Sequence, residues 1–106
     1  MPKYLWQASF NSDAVKGVVK EGGTSRREAI AHMVEAAGGT LEAFYFAFGD
    51  RDALIIVDAP DHATIAAASI AVNASGGVHA KTVVLLTPEE MDAAAKKGVK
   101  YTPPGH

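Results

Sequence analysis

Hydrophobic side chains alternate or run continuously in four segments of this chain, a pattern typical of β-strands. In the second segment Phe44, Phe46 and Phe48 share one face, while the other face is apolar as well. The third segment is apolar on both faces, as expected of a strand inside a sheet that is covered on both sides. The four predicted strands are residues 4–10, 40–48, 53–58 and 78–86.

The segments between the strands carry the three- and four-residue spacing of amphipathic helices. Residues that can cap a helix stand at each expected start, where a side-chain oxygen accepts a hydrogen bond from a free backbone amide. The predicted starts are Asn11 and Asp61 as single caps, and Ser25 with Glu28 and Thr87 with Glu90 as capping boxes. Glycine pairs such as Gly38-Gly39 follow the predicted helices and supply a residue that can adopt positive φ.

The predicted element order is β-α-β-β-α-β, followed by a short helix that reaches about Lys96. Two split β-α-β units with right-handed crossovers form a four-stranded antiparallel sheet with its helices on one face, the ferredoxin-like α+β arrangement. A chain of 106 residues has the size of one domain. We therefore expect a single domain over residues 1–98 and an extended tail over residues 99–106.

Helices on one face of the sheet leave its other face bare. The second and third predicted strands are nevertheless apolar on both faces, and simple alternation places Leu41 and Tyr45 opposite the phenylalanines of the second strand. A large exposed apolar surface marks an interaction site. The pattern therefore predicts a homodimer formed by sheet-on-sheet contact, or a larger assembly that contains this contact.

Composition narrows the classes of function. The net charge is −2 and the basic residues are scattered, so no nucleic-acid partner is expected. The absence of cysteine excludes disulfides, thiolate metal sites and cysteine nucleophiles. No hydrophobic run is long enough to span a membrane, and no secretory signal is expected. We therefore expect a cytoplasmic protein without a membrane partner.

Several of these features together resemble the GYD domain family, small proteins of the dimeric α+β barrel group. The resemblance covers nearly the whole chain. It is carried by Gly38-Gly39, the aromatic strand leading into Gly49, Asp52, the apolar run 54–57, Ala59-Pro60-Asp61 and Gly76-Gly77. The family is named for a Gly-x-Tyr-Asp turn, and here Arg51 stands in the place of the tyrosine. The resemblance implies the fold and a dimeric barrel, and wider relatives of the fold include cofactor-free monooxygenases and isomerases.

The turn Gly49-Asp50-Arg51-Asp52 is the first candidate for chemistry. Asp52 is a candidate general base or polar anchor, and Arg51 a candidate for holding an anionic group of a substrate. In the structural alternative Gly49 adopts positive φ, the aspartates bond amides of the turn and Arg51 pairs with one of them. Ser25-Arg26-Arg27 also has two interpretations, an anion site at a helix N-terminus or a cap with two solvated arginines.

Aromatic residues and histidines supply further candidates. Trp6, Tyr45 and Phe46 are candidates for lining an apolar pocket with the Tyr45 hydroxyl as a polar group, or alternatively for the core and a dimer interface. His79 and Tyr45 join Asp52 as candidates for proton transfer. None of the four histidines has the spacing of metal ligands, so no metal site and no cofactor are expected.

Two functions stay open at this point. The first is a homo-oligomeric module that binds a small apolar molecule or serves assembly. The second is a cofactor-independent monooxygenase or isomerase acting on a small apolar substrate, with Asp52, His79 or Tyr45 moving protons. The two differ in one feature, because an enzyme requires a solvent-reachable cavity with a titratable group directed into it.

Overall fold

A computed structural model describes residues 1–106 of the chain. Its elements are β1 (Lys3–Phe10), α1 (Ser12–Glu21), α2 (Gly23–Ala36), β2 (Thr40–Phe46), β3 (Ala53–Asp58), α3 (His62–Ala74), β4 (Val78–Leu85) and α4 (Pro88–Lys96). The strands form one antiparallel sheet in the order β2-β3-β1-β4. The fold is therefore α+β and roughly ferredoxin-like, with two helices in the first connection, and the predicted fold class is confirmed.

Most helix starts agree with the predicted caps. The side chains of Asn11 and Asp61 each accept a hydrogen bond from an amide of the first turn, at 2.9 and 2.8 Å. Thr87 and Glu90 form the predicted capping box, with proline at the first helical position. These local hydrogen bonds explain why α1, α3 and α4 begin where the sequence predicts.

The capping box predicted at Ser25 and Glu28 is wrong. α2 begins at Gly23, its N-cap is Gly22, and no side chain caps it. Gly22 has a φ of 92°, so the chain turns at one residue between α1 and α2. Ser25 consequently lies inside the first helical turn rather than before it.

β2 is shorter than predicted and carries a bulge. It ends at Phe46, and Phe48 is fully exposed in the loop that leads to β3. The register with β3 shifts after Leu41, which makes Glu42 an extra residue and changes the face of the strand. Leu41 therefore packs against the core on the side of Phe44, contrary to the prediction from simple alternation.

The side of the sheet that α2 and α3 cover, called here the covered face, holds the core. Its buried residues are Tyr4, Trp6 and Ala8 in β1 and Ala53, Ile55 and Val57 in β3. Val34 of α2 and Ile65 of α3 are buried with them. The alternation along β1 thus corresponds to one buried face, as predicted.

The opposite side of the sheet, called here the open face, has no helix over it. Its apolar centre is formed by Leu5, Leu54, Ile56 and Val83, with Tyr45 beside them. Leu54 and Val83 are 37% and 38% exposed. Lys3 stands at the edge of this centre and donates to Glu42 at 2.6 Å and to Asp58 at 2.9 Å, which raises the pKa of Lys3 from its ordinary value.

α4 and the residues after it form an arm that stands away from the sheet. Every residue from 88 to 106 is exposed. The radius of gyration is 16.8 Å, whereas a compact domain of this size has about 13 Å. The arm is therefore not part of the core. None of the helices combines the length and the apolarity needed to cross a membrane.

Candidate functional site

The main cavity of the chain lies between the covered face and helices α2 and α3. Its volume is about 270 Å³, and 12 of its 14 lining residues are hydrophobic. The larger side chains of its wall include Trp6, Phe10, Ile30, Met33, Phe44 and Val72. A cavity of this composition favours an apolar occupant.

Alanines leave this space open between the two layers. Those in the wall are Ala8 and Ala80 from the sheet and Ala29 and Ala71 from the helices. A methyl group is too short to bridge the gap, which larger side chains would fill in a close-packed interior. Aromatic rings stand along the β2 side, where Phe46 meets Phe44 and Phe10 edge to face with centroids 5.1 and 6.5 Å apart. The cavity therefore follows from small residues at its centre and rings beside it.

Trp6 is held in the cavity wall by hydrogen bonds. Its indole Nε1 donates to Ser69 Oγ at 2.9 Å and to Thr82 Oγ1 at 3.1 Å. The two hydroxyl groups lie 2.9 Å apart and bond to each other. Since the indole N–H has partners within the protein, Trp6 offers the cavity an apolar ring in a fixed position.

Arg26 is the only charged residue in the wall of the cavity. Its guanidinium makes no ion pair, because both salt bridges of the chain belong to Lys3. The Nε atom is buried and has no hydrogen-bond partner. Arg26 also lines a smaller adjoining cavity of about 100 Å³, together with Glu21. A cationic donor group thus stands unpaired beside an apolar space.

The helical spacing of the sequence indicates that Arg26 lies on the apolar side of α2. Arg26, Ile30 and Met33 follow each other at helical spacing, so the arginine extends the apolar stripe of α2 by one turn. Neither sequence interpretation, an anion site at the helix terminus or a solvated arginine, places it against a cavity. Its neighbour Arg27 is exposed, as the solvated interpretation predicts.

Asp52 ties the loop after β2 to the end of β1. Its carboxylate accepts a hydrogen bond from the amide of Phe10 at 2.7 Å, and its own amide donates to the carbonyl of Ala8 at 2.8 Å. Its carbonyl accepts from the amide of Ala47 at 2.9 Å. Asp52 does not line the cavity. These bonds give it a structural position, and its role in ligand binding or proton transfer stays a prediction.

Three details of the structural alternative for this turn are wrong. Neither aspartate bonds an amide of the turn, since Asp52 accepts from Phe10 at the end of β1 and the Asp50 side chain forms no hydrogen bond. Gly49 does not adopt positive φ, since the loop spans several residues and needs no left-handed position there. Arg51 forms no ion pair with either aspartate, because the Asp52 carboxylate is directed at the backbone of β1 instead. Arg51 is partly exposed and does not line the cavity, so ligand binding by Arg51 also stays a prediction.

The structure does not bring the remaining candidates together. Tyr45 lies on the open face and is 69% exposed, whereas Phe46 lies on the covered face beside Phe44. Adjacent residues of a strand point to opposite faces, so Tyr45 and Phe46 do not share one pocket. His79 is exposed and pairs with Ser9 at the open face. Of the predicted lining residues, Trp6 alone stands in the wall of the main cavity.

A second polar contact on the covered face lies away from this cavity. The fully buried Tyr4 forms a hydrogen bond between its hydroxyl and His62 Nδ1, and the two rings meet edge to face. Burial raises the pKa of Tyr4, and the negative charge of Asp61 adds to this effect. The hydrogen bond from Thr64 lowers the pKa of Asp61. Sequence spacing gives no signal for this contact, because β1 and α3 are distant along the chain.

No group of three or more histidine, aspartate or glutamate side chains comes together in a way that could hold a metal ion. No curated protein and no solved structure matches the chain. A family model does match it, that of the GYD domain, over residues 4–95. This span includes all four strands except Lys3 of β1, the helices α1 to α3 and the whole lining of the main cavity. The chain therefore belongs to the GYD domain family.

Proposed function

We propose that this protein is a homodimer that binds a small apolar molecule in the cavity between the covered face and helices α2 and α3. The observation that carries the proposal is the cavity itself. It opens to solvent beside the exposed Ala29 and Ala71, has a volume of about 270 Å³, and is lined almost entirely by hydrophobic side chains. That volume lies close to the lower end of the usual range for ligand sites, roughly 300–1,000 Å³.

The open face supports the homodimeric part of the proposal. Leu5 pairs with Ile56 on one side and with Val83 on the other, so their side chains form one continuous apolar centre. Such a surface costs free energy in water unless another surface covers it. A second copy suits it, since two identical sheets present matching apolar centres about a two-fold axis.

The geometry supports binding better than catalysis. A cofactor-independent monooxygenase or isomerase needs a proton-transfer group within reach of its substrate. The three candidates from the sequence, Tyr45, Asp52 and His79, all stand outside the lining of the cavity. Its polar residues are Arg26 and Ser75, and the Ser75 hydroxyl donates to the carbonyl of Val72 at 2.6 Å.

Trp6 provides a direct assay for this function. It is the only tryptophan of the chain and stands in the cavity wall. A small aromatic or alkyl molecule that enters the cavity should therefore change the intensity or wavelength of the intrinsic fluorescence. The titration uses 3-phenylpropanamide, a neutral molecule with an apolar body.

A matched pair of variants locates the binding site. Ala71→Phe places a ring in the wall of the cavity, whereas Ala67→Phe places the same ring at an exposed position of α3 outside the lining. We expect Ala71→Phe to weaken binding at least about tenfold, and Ala67→Phe to bind as the parent protein does. Equal binding by both variants, or no binding by the parent protein, would contradict the proposal.

A further inference from the structure

We infer that the ligand of this cavity is a carboxylate with an apolar body, such as an aryl or short alkyl acid, and that Arg26 holds its carboxylate group. The inference rests on the proposed function and adds the chemical class of the ligand. It is carried by two observations at one place, an apolar cavity and an unpaired guanidinium in its wall.

Arg26 carries a donor that no group of the protein satisfies. The Nε atom of Arg26 is buried without a partner, and the side chain forms no ion pair. A buried donor without a partner costs free energy, and more so when it belongs to a charged group. An anionic ligand that pairs with the guanidinium of Arg26 from the cavity would offset part of that cost, which gives it an advantage over a purely apolar molecule.

The shape of the guanidinium favours a carboxylate as the acceptor. A guanidinium presents parallel N–H groups that match the two oxygens of a carboxylate, which makes a bidentate contact with this group favourable. The wall contains no other charged side chain, so nothing within it competes for the anion. The acid with which Arg26 shares the smaller cavity, Glu21, is exposed and forms no ion pair with it.

The volume of the cavity limits the size of the ligand. A water molecule takes up about 30 Å³ of liquid, so a cavity of about 270 Å³ accommodates a molecule with on the order of ten non-hydrogen atoms. Because the other lining residues are hydrophobic apart from Ser75, whose hydroxyl donates to Val72, the part of the molecule away from Arg26 must be apolar. A monocarboxylate with one phenyl ring, or with a short alkyl chain, meets both conditions.

The test compares two probes of nearly the same shape, 3-phenylpropanoate and the neutral 3-phenylpropanamide. Both are titrated into the parent protein, into Arg26→Gln and into Arg27→Gln, with Trp6 fluorescence as the readout. Arg27→Gln removes the same charge from the neighbouring, exposed position of α2. It therefore controls for the general attraction between a cationic surface and an anion.

We expect the parent protein and Arg27→Gln to bind the carboxylate at least about tenfold more tightly than the amide. Arg26→Gln should lose this preference while it still binds the amide. Arg26→Lys, which keeps the charge but not the paired N–H groups, should lower the preference. It also keeps the test valid if the glutamine variant does not fold.

Each contrary result has a distinct meaning. If Arg26→Gln keeps the preference for the carboxylate, or if it does not fold and Arg26→Lys keeps the preference unchanged, the role of Arg26 is wrong. If the parent protein binds both probes equally, the inference about the ligand class fails while the binding function stands. If it binds neither probe, the proposed function fails together with the inference.

Discussion

Ile55 and Ile56 are neighbours in β3, have the same side chain and lie on opposite faces of one sheet. Ile55 belongs to the covered face, is 5% exposed and stands in the wall of the cavity. Ile56 belongs to the open face and is only partly buried, between Leu5 and the edge strand β2. The chain supplies a partner for the first isoleucine and none for the second.

Apolar side chains have different consequences on the two faces of the sheet. On the covered face it forms the core, and alanines at its centre leave room for a ligand. On the open face it forms an apolar patch that no helix of this chain covers and that only another molecule could bury. The same apolar character therefore supports folding on the covered face and, in the proposed dimer, association on the open face.

The largest effects, on stability and on association, are expected from placing a charge on each face of the sheet in turn. Ile55→Asp buries an unpaired carboxylate and should cost more than about 4 kcal/mol, which is comparable to the whole stability of a small domain, about 5–15 kcal/mol. Ile56→Asp should leave the fold intact and separate the dimer. Circular dichroism and sedimentation equilibrium measure the two effects.

Opposite outcomes would break the comparison between the faces. A folded Ile55→Asp would show that this position is not in the core. A parent protein that sediments as a monomer, or an Ile56→Asp that sediments as the parent protein does, would show that the open face is not the interface. Ile56→Val, which keeps an apolar side chain, is the control and should remain dimeric.

A smaller loss of stability is expected at the end of β1, where Asp52 holds the loop after β2. Asp52→Ala removes the acceptor of the Phe10 amide and should lower the free energy of unfolding by about 2 kcal/mol. Asp50→Ala, at an exposed position of the same loop, should change it little. Chemical denaturation of both variants measures the difference. Loss of probe binding by Asp52→Ala without a loss of stability would instead support the predicted ligand-binding role of Asp52.

A smaller effect concerns the cap of α3, the helix that covers one side of the core. Asp61→Ala removes the hydrogen bond to Thr64 and should lower the midpoint of thermal unfolding by about 5 °C at neutral pH. Because folding lowers the pKa of Asp61, its contribution is present above the ordinary value of about 3.9 and disappears as the pH falls through the folded value. The two proteins should therefore unfold at more similar temperatures near pH 2.

Asp13→Ala is the control for this cap. Asp13 lies in the first turn of α1 and accepts none of the capping hydrogen bonds, which belong to Asn11. It should change the midpoint less than Asp61→Ala does. A difference between Asp61→Ala and the parent protein that stays constant down to pH 2 would contradict the assigned role of the carboxylate.

The smallest effect is a change in the ionisation of Tyr4, which absorbance spectroscopy detects. Burial raises the pKa of Tyr4 above the ordinary value of about 10, so one of the three tyrosines should ionise late in a titration followed by phenolate absorbance. Folding then favours the protonated form, and this contribution to stability is full below about pH 10 and is lost as the pH rises through the folded value. Tyr4→Phe should remove the late phase. Tyr45→Phe, on the open face, should leave it in place, and a late phase that survives Tyr4→Phe would contradict the assignment.

Sequence periodicity predicted the fold well, because each strand and most helices carry their own local signals. The alternation of β1 and the caps at Asn11, Asp61 and Thr87 act within a few residues. The misplaced start of α2 and the bulge at Glu42 depend on how one element meets another. A single glycine between two helices and a shift of register leave no periodic trace.

The candidate site was less predictable for the same reason. Trp6 was predicted as a lining residue from its place on an alternating strand, and it lies in the cavity wall. The aromatic pattern of β2 predicts Tyr45 and Phe46 in one pocket, although the alternation of side chains along a strand separates them. Arg26 and the alanines of the wall are brought together only by the packing of α2 and α3 on the sheet.

The central claim is that a small molecule binds on the covered face and not on the open one. Methyl NMR of the protein during titration with 3-phenylpropanoate tests it directly, because isoleucine methyl groups lie on both faces. We expect the signals of Ile30 and Ile55 to shift and that of Ile56 to stay in place. A shift of Ile56 without a shift of Ile55, or no shift at any of the three, would contradict the account.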